Sequence, residues 1–408
     1  MSTVLSLAFT AIVAVFIKDI YCFLRNYQNA KELGLPIILC PIDNHRIIWL
    51  LNQVWLLPLL RKLPESWNAF TKYLEFGWQY DDRRSGTRSV HESLGPAIVL
   101  VTPGKNQIIV SDPVAIHDML TRYRVFDKPW MYKIHDLYGI NVDTVNGEEW
   151  VRHRKITAPA FNERVSRTVW EEASRQAQAM LKSAFGDDLK GSKPSVPNRE
   201  PYNSLYRDTK TIAMHVLMLA GVGVRQDFEH GTTRPAPGHS MSLVGALNAV
   251  LEMLPLPWLC SFAPTFFQSR WLPKIFREGA VAYTELKAYL DEMIIQTERT
   301  QVQGQKIDVP RKANLLENLM QAAEDDDGRT THRLSIDDVR GNLYIFYLAG
   351  HETTANALCF AISLLAAHPQ WQDWIAAELE TLDGNVYVYE NAFPKMKRCL
   401  ALMVRCGI

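Results

Sequence analysis

Residues 335–368 limit the fold more than any other stretch of this chain. About thirty residues run from Ser335 to the residue before Pro369 without a proline. Leu343, Phe346, Leu348, Ala357, Leu358, Phe360, Ile362, Leu364 and Leu365 spread apolar surface over several sides of a 3.6-residue period. A helix of this kind crosses the centre of a domain. Ser335 followed three residues later by Asp338 resembles a capping box, with aspartate in place of the usual glutamate. Pro369 marks the stop.

The middle of this helix is polar. In "FYLAGHETTANAL", Gly350, His351, Glu352, Thr353 and Thr354 interrupt the apolar run. Buried polar groups cost free energy unless they are hydrogen-bonded or used. Gly350 lets a neighbour approach the backbone. The Thr353 hydroxyl can turn back to the carbonyl four residues earlier and locally open the helix. Glu352 adds an ionisable group for proton delivery. From these residues alone, a cavity served by an acid and a hydroxyl stands open beside a plain kink with exposed polar side chains.

The chain has 408 residues, enough for one large domain or two smaller ones. With 47% hydrophobic and 22% charged residues it is globular, and its zero net charge lacks the basic surplus of a nucleic-acid binder. Six scattered cysteines (Cys22, Cys40, Cys260, Cys359, Cys399 and Cys406) form no CxxC pair and no disulfide framework. That fits a reducing compartment and argues against a cysteine zinc site.

Met1 to Ile17 carries no charged side chain, and extension through Lys18 and Asp19 to Leu24 gives a membrane-spanning length. The absence of a basic n-region favours an anchor over a cleaved signal peptide. Lys18, Arg25, Lys31 and Arg46 then place the bulk in the cytosol. The run from Ile47 to Leu60 is broken by Asn52, Gln53 and Pro58 and suits an interfacial or core-packed helix. Ala97 to Pro113 predicts a β-hairpin around Pro103-Gly104. Beyond Trp150 the pattern predicts helices over 163–185, 204–220, 276–300 and 310–324, with loops at 186–201 and 324–331.

"AGHETT" (Ala349 to Thr354) resembles the oxygen-activation motif of the cytochrome P-450 haem-thiolate monooxygenases, A-G-x-[DE]-T-[TS]. "WVRHR" (Trp150 to Arg154) resembles the W-x-x-x-R of that family's haem-propionate helix, and i, i+4 spacing puts both residues on one face. An indole N–H and a guanidinium fork both suit carboxylates. His368 to Leu379 and Phe393 to Met403 resemble the two helices that follow. The resemblance covers about 90 to Met403 and has the flavour of filamentous-fungal microsomal members.

It implies a mainly α fold with a small β-sheet region, carrying haem held by a cysteine thiolate. By the resemblance, Glu352 and Thr353 are catalytic, Gly350 and Thr354 bind oxygen, and Trp150 and Arg154 hold the haem. Trp130 to Gly147 and Leu243 to Trp258 correspond to pocket and access segments. The implied activity is O₂-dependent oxidation of a small apolar substrate, with an NADPH-dependent reductase as partner, at the endoplasmic reticulum membrane. The expected organisation is an anchor over 1–24, linker and interfacial helices over 25–62, and an incomplete P-450 domain over 63–408.

Two family features are missing from these 408 residues: E-x-x-R after Phe393, and the F-x-x-G-x-R-x-C-x-G loop that supplies the thiolate. E-x-x-R occurs only upstream, at Glu149–Arg152 and Glu172–Arg175, where it reads as coincidence. Val404 to Ile408 breaks the helix pattern and is expected to be intron read-through or a frameshift, or else a premature stop. The alternative to an enzyme is therefore a truncated, non-catalytic relative unable to bind haem.

Overall fold

The structure, a computed structural model, describes residues 2–43, 90–186, 202–229, 234–303, 314–324, 334–382 and 385–405, with single positions 46, 49, 52, 56, 58–60, 62 and 231. The chain divides into two compact units, Met1–Asp127 and Lys128–Ile408.

The first unit holds α1 (Ser2–Glu32), β1 (Ile37–Leu39), α2 (Val90–Leu94), β2 (Ala97–Val101), β3 (Asn106–Val110) and α3 (Pro113–Thr121). The hairpin forms as the sequence predicts: β2 and β3 pair antiparallel, from Ala97 opposite Val110 to Val101 opposite Asn106. β1 adds a parallel strand on the other edge of β2. β2 is therefore central and buried on both faces, which explains why "AIVLV" shows no polar alternation. Ile98 and Leu100 meet Ile38, Cys40 and Trp49 on one face. Val99 and Val101 meet Ala30 of α1 on the other. Trp49 thus bears out core packing for part of the 47–60 run, most of which lies outside the described residues.

α1 covers the expected anchor and continues to Glu32, but it does not support a membrane span. No helix among the described residues is long and apolar enough to cross a membrane. Lys18 and Asp19 sit inside the helix, and Asp19 is bound to the Arg46 guanidinium by two hydrogen bonds of 2.5 and 2.6 Å. Asn26 donates to the Thr102 carbonyl at 2.9 Å, so the second half of α1 packs as part of a folded unit.

The second unit is helical: α4 (Gly147–Thr157), α5 (Glu163–Phe185), α6 (Leu205–Val222), α7 (Leu243–Glu252), α8 (Pro255–Ser261), α9 (Pro264–Phe267), α10 (Lys274–Gln303), α11 (Leu315–Glu324), α12 (Ile336–Ala367), α13 (Pro369–Leu379), α14 (Tyr389–Ala392) and α15 (Lys397–Arg405). The predicted helices lie within a few residues of these bounds, except that α11 begins at Leu315 and 304–313 falls outside the described residues. The loop predicted at 186–201 is described only at Gly186, the C-cap of α5; the one at 324–331 is outside the described residues after Glu324, which ends α11.

α12 is the long central helix. Its capping box is present: Ser335 Oγ accepts from the Asp338 amide at 3.1 Å, and Asp338 Oδ2 accepts from the Ser335 amide at 3.0 Å. Its N-terminal half is buried on several faces, with Val339, Leu343 and Tyr344 fully enclosed by α6, α7, α10 and α11. The C-terminal half differs from expectation. Ala349, Thr353, Thr354, Phe360 and Leu364 are exposed, Phe360 to 67%.

The loop from Trp130 to Gly147 approaches the helix through two glycines. A Cβ on Gly341 would lie 2.4 Å from the Gly139 carbonyl oxygen, and one on Gly139 would lie 1.9 Å from the Asp337 carbonyl oxygen. Gly139 also has φ +139°, a region that side chains disfavour. Gly341→Ala should therefore push backbone from backbone and destabilise the fold by about 1–3 kcal/mol. Urea unfolding measures this; an unchanged midpoint would show that the loop yields freely.

Candidate active site

The "AGHETT" motif occupies the middle of α12, and its side chains diverge because neighbours on a helix point about 100° apart. Thr353 donates from Oγ1 to the Ala349 carbonyl at 2.5 Å, the back-bond that its sequence position predicts. The helix nonetheless runs unbroken from Ile336 to Ala367. Thr353 and Thr354 lie on the exposed face. Gly350 faces α6, where a Cβ would meet Leu217 Cδ2 at 3.0 Å. Its missing side chain allows the two helices to approach.

Glu352 turns toward α6. Its Oε1 accepts from the Tyr206 hydroxyl at 3.2 Å and lies 3.4 Å from Lys210 Nζ. Burial alone would lower the Lys210 pKa, but Tyr206 and the Glu352 carboxylate hold it above the usual lysine value. The ammonium also lies 4.7 Å above the Tyr206 ring. The acid and the hydroxyl are adjacent in sequence, yet only the hydroxyl is on the exposed face.

His351, between them in the motif, is fully buried. Burial pushes its pKa down to about 4, with Lys210 adding to the effect. It is neutral at physiological pH.

Trp150 and Arg154 share a face of α4, as the spacing predicts, with the guanidinium 5.4 Å from the indole centroid. Arg154 is exposed and Trp150 half-buried. α4 is fastened to the start of α12. Asn342 Nδ2 donates to His153 Nδ1 at 2.9 Å and to the Asp338 carbonyl at 2.8 Å, while Asn342 Oδ1 accepts from the Val142 amide at 3.0 Å. The Val142 bond fixes the amide orientation, so His153 accepts at Nδ1, while its Nε2 lies 3.3 Å from the Arg152 guanidinium. Asn342 thus joins α4, the 130–147 loop and α12. The path from Asp338 to Ala349 is on the order of 17 Å along the helix.

The sequence reading missed Asn342, His153 and Lys210. His153 stood inside "WVRHR", and Asn342 was a second polar residue in the apolar helix. Lys210 had no local signal. The two upstream E-x-x-R matches are ordinary intrahelical pairs, Arg152 with Glu149 and Arg175 with Glu172. In the two pocket segments, Tyr138 stacks on Tyr283 and Leu243, Ala246, Leu247 and Val250 join the core, so much of their apolar character is packing.

A family model described as Cytochrome P450 matches residues 62–397. A cytochrome P450 monooxygenase of Arthrobotrys oligospora is 28% identical over 93% of this chain and 65% of its own length. A cytochrome P450 monooxygenase of the phomenoic acid biosynthesis cluster of Leptosphaeria maculans is 26% identical over 97% of this chain and 69% of its own. Among solved structures, a retinoic acid-bound cyanobacterial CYP120A1 superposes with a TM-score of 0.51 at 21% identity, over 76% of this chain and 62% of that one. This last likeness speaks for the fold alone. The chain belongs to the cytochrome P450 family, whose members carry haem. It spans 54% to 65% of the length of its first fungal relatives.

Three buried histidines give the unit an acid-sensitive stability. Burial pushes His215 and His351 down to about 4 and lowers His153. The unfolded chain, with histidine near 6.5, binds more protons in that window. Their contribution is complete above pH ~6.5 and is lost as pH falls toward 4, by up to roughly 3 kcal/mol each for His215 and His351. His239 runs the other way: burial opposes its charge, but Glu285 and Glu292 win and raise its pKa. Its contribution is full below about 6.5 and fades as pH rises through the raised value. The urea midpoint should drop steeply between pH 6.5 and 4.5. A flat profile there would contradict the burial of these rings.

Proposed function

We propose that this protein has the active-site architecture of a cytochrome P450-type monooxygenase, oxidising a small apolar organic substrate with O₂ and electrons from an NADPH-dependent reductase. The observation that carries the reading is the Thr353 back-bond at the midpoint of α12, on an exposed face of small residues, with Glu352 tethered beside it. Haem, when bound, supplies the oxygen-activating iron chemistry. The residues present fit its oxygen-binding side. Ala349 and Thr354 share the exposed face with the Thr353 hydroxyl and are small. Trp150 and Arg154 offer an indole N–H and a guanidinium to its carboxylates.

In this reading Gly350 and Thr354 shape the oxygen pocket. Thr353 holds a proton at Oγ1. Glu352 holds its carboxylate against Lys210 and Tyr206, from which a proton is replaced. Fungal relatives include a member of a biosynthetic cluster, and a secondary-metabolite precursor is the substrate class we favour. Association with the endoplasmic reticulum membrane belongs to the same reading. Phe9, Phe16, Ile17 and Leu24 of α1 are exposed apolar side chains suited to contact lipid.

A specific observation favours a second reading, a relative that binds no thiolate-ligated haem. Burial pushes the Cys40 and Cys260 thiols up to about 11, so both are neutral. Cys22, Cys359 and Cys399 lie within helices, and Cys406 is outside the described residues. Hemin titration tests the haem site, and carbon monoxide tests the thiolate. Saturable quenching of tryptophan emission, weakened about tenfold or more by Arg154→Leu, supports the haem site; no saturable quenching contradicts it. Carbon monoxide added to the reduced complex should give no thiolate-type Soret band for these 408 residues. A strong band would defeat the second reading, and single cysteine replacements would identify the ligand.

A further inference from the structure

His351 has no assigned role in the family reading, yet it is the most constrained side chain of the motif. It is fully buried, and neither Nδ1 nor Nε2 meets a hydrogen-bond partner among the described residues. Helical spacing puts it on one face with Tyr347 and Ala355, both buried. That face meets α6. Tyr347 donates from its hydroxyl to Met218 Sδ at 3.4 Å, Gly350 abuts Leu217, and Glu352 binds Tyr206 and Lys210. His351 is bracketed by these contacts.

A neutral imidazole has one donor and one acceptor in either tautomer. Burying both unmet carries the desolvation penalty of each nitrogen, where a leucine would cost nothing of the kind. A ligand for this position must be small enough for a closed helix interface. It must offer both an acceptor and a donor. It must be uncharged, because burial and the nearby Lys210 ammonium keep the ring itself neutral. Water meets all three conditions, and buried water characteristically satisfies polar groups of this kind.

We propose that His351 is the centre of a buried water site between α6 and α12, one imidazole nitrogen donating to water and the other accepting from it, on the flank of Glu352. His351 is then a positioning residue. Its water holds the α6-facing side of the motif hydrated while the Thr353 side faces outward. The water site stands on the burial of His351 and its two unpartnered ring nitrogens; its service to Glu352 rests on the monooxygenase reading.

The test uses the full chain with ¹⁵N-labelled histidine and no haem. One ring N–H of His351 should be visible, slow to exchange, and should show a cross-relaxation signal to a long-lived water. That signal should vanish in His351→Leu. His351→Leu should also lower Tm by roughly 2–4 °C, and His351→Gln, whose amide both donates and accepts, should recover at least half of the loss. An equal or higher Tm for His351→Leu, or a ring N–H with no water signal, would overturn the proposal. If His351→Leu does not fold, the water signal in the unaltered protein decides alone. Hemin quenching without the water signal would sink only this inference. The water signal without hemin quenching would sink only the functional reading.

Discussion

The organisation of the helical unit depends on enclosing α12. A 32-residue helix with apolar side chains on several faces cannot stand in water, so its neighbours are arranged to cover it. The cover works through close approach. Gly350 admits Leu217 of α6, and Gly139 and Gly341 bring a loop backbone onto the helix backbone. Every polar group in such a helix then needs a partner. Asp338 finds the Ser335 amide, Asn342 finds three partners, Thr353 takes the Ala349 carbonyl and Glu352 takes Tyr206 and Lys210. Among the described residues the Tyr344 hydroxyl and His351 find none, and His351 is the one with two unmet ring nitrogens, which is why water is assigned to it.

This arrangement separates the environments of adjacent residues. A helix sends consecutive side chains to different faces, so one six-residue motif serves three environments. Thr353 belongs to the open face, Glu352 to the charged contact with α6, and His351 to the interior. Placing the carboxylate against a lysine keeps an ionisable group close to the hydroxyl without exposing both on one surface. α4 approaches α12 nearly three turns earlier, at Asp338 and Asn342. Trp150 and Arg154 ride on a helix that meets α12 at one point, and the motif stands at another point along the same helix.

Much of this was legible in the sequence, because it was local. The capping box, the hairpin around Pro103-Gly104, the bounds of most helices and the Thr353 back-bond all follow from residues within four or five positions of each other. What the sequence did not reveal is long-range. The His153–Asn342 and Val142–Asn342 bonds join residues some two hundred positions apart. Lys210 meets Glu352 only because α6 packs on α12. The parallel pairing of β1 required contact between Ile37 and Val99, which no short pattern encodes. One expectation found no support and another was corrected, for the same reason. The first helix looked like a membrane span by its uncharged start, but Asp19 and Asn26 tie its later turns to Arg46 and Thr102. The central helix looked apolar throughout, but its cover ends near the motif.

The central claim is that the motif divides α12 into an enclosed half and an open half. Hydrogen exchange resolved by residue tests this directly. Amides from Leu343 to Leu348 should exchange only through global unfolding. The Thr353 amide, which shares the Ala349 carbonyl with its own side chain, and the amides from Phe360 onward should exchange by local opening at much lower free energy. Uniform protection from Leu343 through Leu364 would contradict the account.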